Sequence, residues 1–282
     1  MDINNFFGKP EQQDVKQKTR TISLVSYLNT KPLVYGLENN TVEHHFSLQK
    51  DVPSVCAQRL LEGEVELGIV PSIEYARAKG SWKIIPDLSI ASQGAVKSVC
   101  LFFNTNMSRI GKIALDTSSR TSAALLKIIL QERYELTPEF ILLPPDLDTM
   151  LEAADAALII GDKALQYSTE HTNYLDLGEE WSDMTGLPFV FAFWAGNELQ
   201  MQEKDVKVIQ ESYQTGSQNI EKITRDFAKA HPMSWDFYYN YLTSNISYSF
   251  AEDEKAGLME FYRYAFYFGL IEHIPDLHFY GE

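Results

Sequence analysis

The chain has 282 residues, 45% of them hydrophobic and 22% charged, enough apolar material for two compact lobes. Its 24 Lys and Arg stand against 39 Asp and Glu, a formal net charge of −15, so no nucleic acid and no anionic membrane is expected as a partner. The two cysteines, Cys56 and Cys100, lie in apolar runs without zinc spacing and read as buried free thiols of a reducing compartment, with no metal site.

Residues 1–20 have the character of a frayed extension and carry no secretory or lipoprotein signal, which points to a cytoplasmic protein. Residues 21–25 predict a first strand. The run Ser26-Tyr27-Leu28-Asn29-Thr30-Lys31-Pro32 breaks it, with Pro32 in the first turn of a short helix and Asn29 or Thr30 as its cap. A second strand is expected at 44–48, which would put His44 and His45 on opposite faces. A helix then runs from about Pro53 to Glu62 and stops at Gly63. Residues 65–70 read as a strand covered on both faces, and Pro71-Ser72 opens a helix through Lys79 that Gly80 closes. This βαβα rhythm implies a parallel sheet with right-handed crossovers.

Strands follow at 84–88 and 98–103, around a turn at Gly94, and the alternation restarts at Lys112. It gives a strand at 112–115, a helix at 123–132, a strand at 140–143, a helix at 146–154, and a strand at 156–160 ending in Gly161-Asp162. Residues 181–188 read as a turn region. Residues 189–195 read as a strand that returns to the first lobe. The division expected is 21–97 with 196–282 for one lobe and 98–195 for the other, crossover strands included. After Asn197 three helices are expected, at 200–229, 231–242 and 250–270, with an aromatic stripe packed on the first lobe.

The chemistry is expected where strand ends converge on a cleft between the lobes. Thr117-Ser118-Ser119-Arg120-Thr121-Ser122 places five hydroxyls and one arginine where a strand passes into a helix. A helix start has unpaired N–H groups and partial positive charge, so this stretch suits an anion, and Arg120 can grip a carboxylate with two donors. It lacks the glycine-rich pattern of a nucleotide phosphate loop, so the expected ligand is a small carboxylate. Ser26 to Asn29, Ser72, and Gly161-Asp162 mark three further strand ends. Asp162 reads equally as a helix cap or as a partner of the site. Ser98 opens a crossover strand and would face the cleft, with Lys97 and Lys31 as nearby positive charge. No Ser-His-Asp arrangement and no metal-ligand cluster is evident.

Several of these blocks together resemble the menaquinone-biosynthesis proteins of the futalosine route. They are 26–33 (Ser-Tyr-Leu-Asn-Thr-Lys-Pro-Leu), 68–75, 96–99, 118–122, 158–165, and Trp181 with 185–192, in order across about residues 20 to 270. The resemblance is strongest to the dehydratase branch. It implies a two-lobe α/β fold of the type II periplasmic-binding-protein kind, with a central cleft and C-terminal helices on the first lobe. It also implies a small-molecule substrate, no cofactor, and removal of water from chorismate to give 3-[(1-carboxyvinyl)oxy]benzoate. By the same resemblance, Asn29 and Ser98 lie nearest the chemistry, and Ser118, Ser119, Arg120 and Thr121 bind a carboxylate. Ser72, Asp162, Thr185, Gly186, Leu187 and Pro188 line or support the pocket. The resemblance also implies that the substrate's own enolpyruvyl carboxylate is the base. Thr30-Lys31 departs from the smaller or apolar residues often found there, which leaves open whether Lys31 faces the site. Two alternatives share the fold: a solute-binding protein for a small carboxylate, and the sister enzyme that forms 1,4-dihydroxy-6-naphthoate.

Overall fold

The computed structural model describes residues 20–78, 82–171 and 173–281. Most of the expected N-terminal extension lies outside the described residues, as do Lys79 and Gly80 at the expected end of the third helix. The first strands and helices alternate as β1 (Arg20–Val25), α1 (Lys31–Glu38), β2 (Phe46–Asp51), α2 (Pro53–Leu61), β3 (Leu67–Pro71), α3 (Ser72–Arg77) and β4 (Trp82–Ser92). The middle of the chain gives β5 (Val99–Phe103), β6 (Lys112–Asp116), α4 (Thr121–Tyr134), β7 (Glu139–Leu143), α5 (Leu147–Ala153), β8 (Ala156–Ile160), α6 (Gly161–Glu170), β9 (Tyr174–Asp176) and α7 (Leu177–Thr185). The chain closes with β10 (Phe189–Asn197), α8 (Glu203–Ser217), α9 (Ile220–Ala228), α10 (Trp235–Asn240), β11 (Ser247–Phe250) and α11 (Glu252–Tyr267).

These strands form two sheets. The first has the order β11-β4-β10-β3-β1-β2 and the second β7-β6-β8-β5-β9. Each has a parallel core: β1 pairs with β2 and β3 in one, and β6 with β7 and β8 in the other. Antiparallel strands complete them, β10 against β3 and β4 in the first and β5 against β8 and β9 in the second. The return strand β10 therefore belongs wholly to the first sheet. One continuous apolar core runs through both sheets, and a smaller cluster around Phe102, Met150 and Ile159 covers the far face of the second.

Three elements were not legible in advance, and each has a local reason. Strand β9 is three residues long, too short for an alternation signal. Helix α7 occupies most of the expected turn region, because Asp176 caps it at the Gly178 and Glu179 N–H groups. Strand β11 falls within the expected all-helical tail, where Tyr248 and Phe250 point inward and Ser247 and Ser249 lie further out. His44 and His45 precede β2 instead of lying within it, and the His44 ring lies 3.1 Å from the Leu37 carbonyl oxygen. The expected 200–229 helix is broken between α8 and α9. After α10 the chain makes a π-type turn over Tyr241–Asn245.

The C-terminal elements clamp the first sheet. Helix α8 lies along α1, and α11 packs on β10 while its Phe261 and Tyr264 rings also meet Trp181 of α7. Cys56 and Cys100 are buried and free, and burial pushes both thiols up. No helix among the described residues is long and apolar enough to cross a membrane.

Candidate active site

A half-open cleft, with a cavity of about 70 Å³, lies where the parallel strands of both sheets end. From the first sheet it is lined by Tyr27, Asn29 and Thr30 after β1, Pro71 at the end of β3, and Phe191 and Ala192 of β10. From the second come Ser118, Ser119 and Arg120 between β6 and α4, Thr121 and Ser122 in the first turn of α4, Ile160 at the end of β8, and Gly161 at the start of α6. The linking segment adds Val96, Ser98 and Val99.

The turn that carries Asn29 is fixed by its backbone. The Leu28 N–H donates to Asp162 Oδ1 at 2.9 Å, the Asn29 carbonyl accepts from the Tyr248 hydroxyl at 2.9 Å, and the Thr30 hydroxyl donates to the Tyr27 carbonyl at 2.7 Å. Thr30 thus stands at the cap position of α1 but bonds backward into the turn. The Asn29 side chain has no such role, since its Oδ1 is buried without a hydrogen-bond partner. An orphaned buried acceptor costs about 1–3 kcal/mol, and here it lines a cavity. Ser98 is buried beside it. The Tyr241 phenol lies against both, hydrogen bonding to Ser98 and Asn29 opposing the rise in its pKa that burial causes.

Ser98 is aimed by a carboxylate. Buried Asp176 accepts from the N–H groups of Val96 (3.0 Å), Lys97 (2.6 Å), Gly178 (2.9 Å) and Glu179 (3.2 Å). Lys97 is held there at φ +61°, a conformation unfavourable for a non-glycine residue, and the next residue enters β5 from the cleft.

The hydroxyl-rich stretch divides by role. Ser119 Oγ is buried and unpartnered at the start of α4, as Asn29 Oδ1 is across the cleft. Ser118 Oγ donates to Asp116 Oδ1 at 2.7 Å. Thr121 Oγ1 accepts from the Ile73 N–H at 3.2 Å, and Ser72 Oγ donates to the Val190 carbonyl at 2.8 Å, beneath the cavity. Arg120 lines the cleft, but one of its donors is engaged: Nη1 lies 2.7 Å from Glu74 Oε2, while Arg77 takes Glu74 Oε1 at 2.8 Å. The two-donor grip expected of Arg120 is thus shared with a buried carboxylate.

The structure places the remaining expected residues off the cavity lining. Asp162 holds the Leu28 turn from behind. Thr185 Oγ1 donates to the Trp181 carbonyl, Gly186 caps α7, the Leu187 N–H donates to Thr185, and the Pro188 carbonyl accepts from the Trp181 indole. Thr185 to Pro188 therefore anchor α7 to β10. Lys31 turns away from the cleft to Glu38, with Nζ 3.0 Å from Oε2.

Asp162 yields a stability prediction. Burial raises its carboxyl, against the Leu28 hydrogen bond and the positive charge of His231 and Lys31. A carboxyl raised in the folded state binds its proton before the unfolded chain does, so the ionised form weighs against folding. Asp162→Asn keeps an acceptor for Leu28 and removes that charge. The wild type is expected to lose stability relative to the variant as pH rises from the ordinary aspartate value through the raised one. Urea midpoints across that window measure it, and a difference constant with pH would contradict it.

Sequence reasoning put Tyr27 at a converging strand end without a role of its own, and overlooked Tyr241, Tyr248 and Asp176. The tyrosines look like core packing in one dimension, and only the fold brings their hydroxyls to the cleft. Asp176 carried a readable signal, since Asp three residues before Glu179 is a helix-capping pattern.

A chorismate dehydratase of Thermus thermophilus is 30% identical over 266 residues, 85% of this chain and 93% of its own. One of Campylobacter jejuni is 28% identical over 242 residues, 84% and 93% of the two chains. Among solved structures, an Archaeoglobus fulgidus protein matches with a TM-score of 0.75 at 17% identity, covering 89% of this chain and 98% of its own. The periplasmic aliphatic sulphonate binding protein of Escherichia coli matches at 0.63 and 15% identity, covering 92% and 95%; these two likenesses concern the fold. The family model described as menaquinone biosynthesis matches residues 20–267, so the chain belongs to the menaquinone biosynthesis family.

Proposed function

We propose that this cleft binds chorismate and removes water from it, giving 3-[(1-carboxyvinyl)oxy]benzoate, as a cytoplasmic hydro-lyase of menaquinone biosynthesis. The observation that carries the reading is a pair of buried, unpartnered oxygens, Asn29 Oδ1 and Ser119 Oγ, lining one cleft in a chain whose relatives are chorismate dehydratases.

The lining suits this reaction. Among the described lining residues only Tyr27 and Arg120 are ionisable, and burial pushes the Tyr27 phenol up to about 12. The lining thus holds no carboxylate or imidazole, and the family resemblance makes the substrate's own enolpyruvyl carboxylate the proton acceptor. The proton lost sits on the ring carbon bearing the enol ether, vinylogous to the ring carboxylate. Its electron pair becomes a ring π bond, the neighbouring C–O bond breaks, and the oxygen leaves as water from a ring that is now aromatic. The protein's task is to hold two carboxylates, orient the hydroxyl and exclude bulk water. Asn29 and Ser98 orient the hydroxyl or meet developing charge. Ser119 and the N–H groups at the start of α4 bind a carboxylate, and the donors of Arg120 not taken by Glu74 join them.

Incubation with chorismate tests this directly: the expected result is loss of the diene absorbance and a product lighter by one water. Unchanged chorismate, with small carboxylates still bound, would support a solute-binding protein instead. Arg120→Ala is expected to raise KM about 10- to 100-fold with kcat nearly kept, the effect of losing charged hydrogen bonds of about 1.5–3 kcal/mol. Glu74 keeps Arg77 in that variant, so the fold should hold. A loss confined to kcat would move Arg120 from binding to the chemical step.

A further inference from the structure

Dehydration needs a proton for the departing oxygen, and the assignments above supply none. One hydrogen-bonded chain ends in the cleft with a donor. The Tyr27 hydroxyl lies 3.2 Å from Ser118 Oγ, and Ser118 Oγ lies 2.7 Å from Asp116 Oδ1. Asp116 is 1% exposed, and its Oδ2 has no hydrogen-bond partner. The order from the cleft inward is phenol, hydroxyl, carboxyl.

The chain also spans the two sheets, since Tyr27 follows β1 while Asp116 ends β6 and Ser118 follows it. The seat of the Tyr27 ring is built for it. Gly161, at φ +68°, leaves the space that the ring fills, and a Cβ there would lie 2.9–3.0 Å from three ring atoms.

The geometry points to Tyr27 as the proton donor to the departing ring hydroxyl, resupplied through Ser118 from Asp116. This inference rests on the dehydration reading above. The phenolic O–H bond breaks as the ring C–O bond breaks, and the proton completes the water. Tyr27 then takes the Ser118 proton, Ser118 takes the Asp116 proton, and the Asp116 carboxylate regains one from solvent once the product has left. The proton from the ring carbon goes separately to the enolpyruvyl carboxylate, so the two transfers balance.

The protonation state of Asp116 sets the direction of the chain. With Asp116 ionised, Ser118 points at it and Tyr27 must donate to Ser118. With Asp116 neutral the chain reverses, and the phenolic proton faces the cleft. Burial raises the Asp116 carboxyl, against two hydrogen bonds from Ser118, one from the Ile160 backbone and the charge of Lys163. The high value of the phenol keeps its proton in place until a hydroxide-like oxygen develops beside it.

Tyr27→Phe keeps the ring on Gly161 and removes only the donor. Its kcat is expected to fall about 100-fold, with KM within about threefold and product affinity, measured by titration, within about twofold. Ser118→Ala leaves the phenol but cuts it from the carboxyl, and kcat should fall about tenfold. A Tyr27→Phe enzyme with more than half the wild-type kcat overturns the inference, as does a loss appearing only in KM, which would make Tyr27 a binding contact. Where Tyr27→Phe fails to fold, Ser118→Ala decides, and an unchanged kcat there is equally fatal. Failure of the wild type to convert chorismate removes the dehydration reading and this inference together. Turnover by the wild type with full activity in both variants removes this inference alone.

Discussion

Asn29→Ala is expected to cut kcat about a thousandfold while leaving the protein as stable as the wild type, or slightly more so. The two effects separate because the Asn29 backbone and side chain have different duties. The backbone is held by Tyr248 at the Asn29 carbonyl, by Asp162 at the Leu28 N–H, and by the Thr30 hydroxyl at the Tyr27 carbonyl, none of which needs the amide. The Oδ1 is buried without a partner, at a cost to the folded state of about 1–3 kcal/mol. Alanine removes that cost and the amide's hydrogen bond to the buried Tyr241 phenol, which roughly offset each other, together with the group that meets the substrate. Urea denaturation and steady-state kinetics on one preparation measure both. A variant destabilised by more than about 1 kcal/mol, with activity falling only as its folded fraction falls, would make Asn29 a turn residue and nothing more.

The pattern of what the sequence revealed follows from where each signal resides. The β6–α4 cradle was legible because its message is local: five hydroxyls and an arginine at one helix start. Its division of labour was not, since whether Ser119 is orphaned and Ser118 engaged depends on Asp116 two or three residues back and on Tyr27 about ninety residues away. Arg120 shows the same limit. Its pairing with Glu74 depends on α3 of the first sheet meeting the start of α4, which no spacing within either segment states. The alternation of strands and helices made the two parallel cores legible, β1 and β2 being joined through α1 and β6 and β7 through α4. It failed in the tail, where Ser247–Phe250 is a four-residue strand inside a run dense in aromatics. In one dimension those aromatics look like packing, and most are. Tyr248 and Tyr262 also donate to the backbone of Asn29 and Ser72, so the tail that packs the first sheet also sets the cleft's geometry.

Gly216→Ala is the second large effect, and two ordinary arguments about it disagree in sign. Within a helix interior, alanine in place of glycine is favoured by about 1 kcal/mol. At Gly216, however, an added Cβ would lie 1.9 Å from the Pro32 carbonyl oxygen and 2.7 Å from its carbon. Those are backbone atoms of the first turn of α1, so no side-chain rotation relieves the contact. The neighbouring contacts are equally close: Ser212 donates to the Leu33 carbonyl at 2.9 Å and accepts from the Leu37 N–H at 3.2 Å, which ties α8 to the α1 main chain. Separating the two helices by more than an ångström would break these bonds, and overpacking of this kind costs about 3 kcal/mol. The net expectation is a loss of about 2 kcal/mol, read as a lower urea midpoint with an unchanged slope. A more stable variant would show that α1 and α8 can part without cost. Because α1 begins two residues after Asn29, the molecules that do fold should also turn over more slowly. A helix contact outside the cleft lining thus sets where the amide points, and the drop in kcat at equal folded fraction measures how tightly the two are coupled.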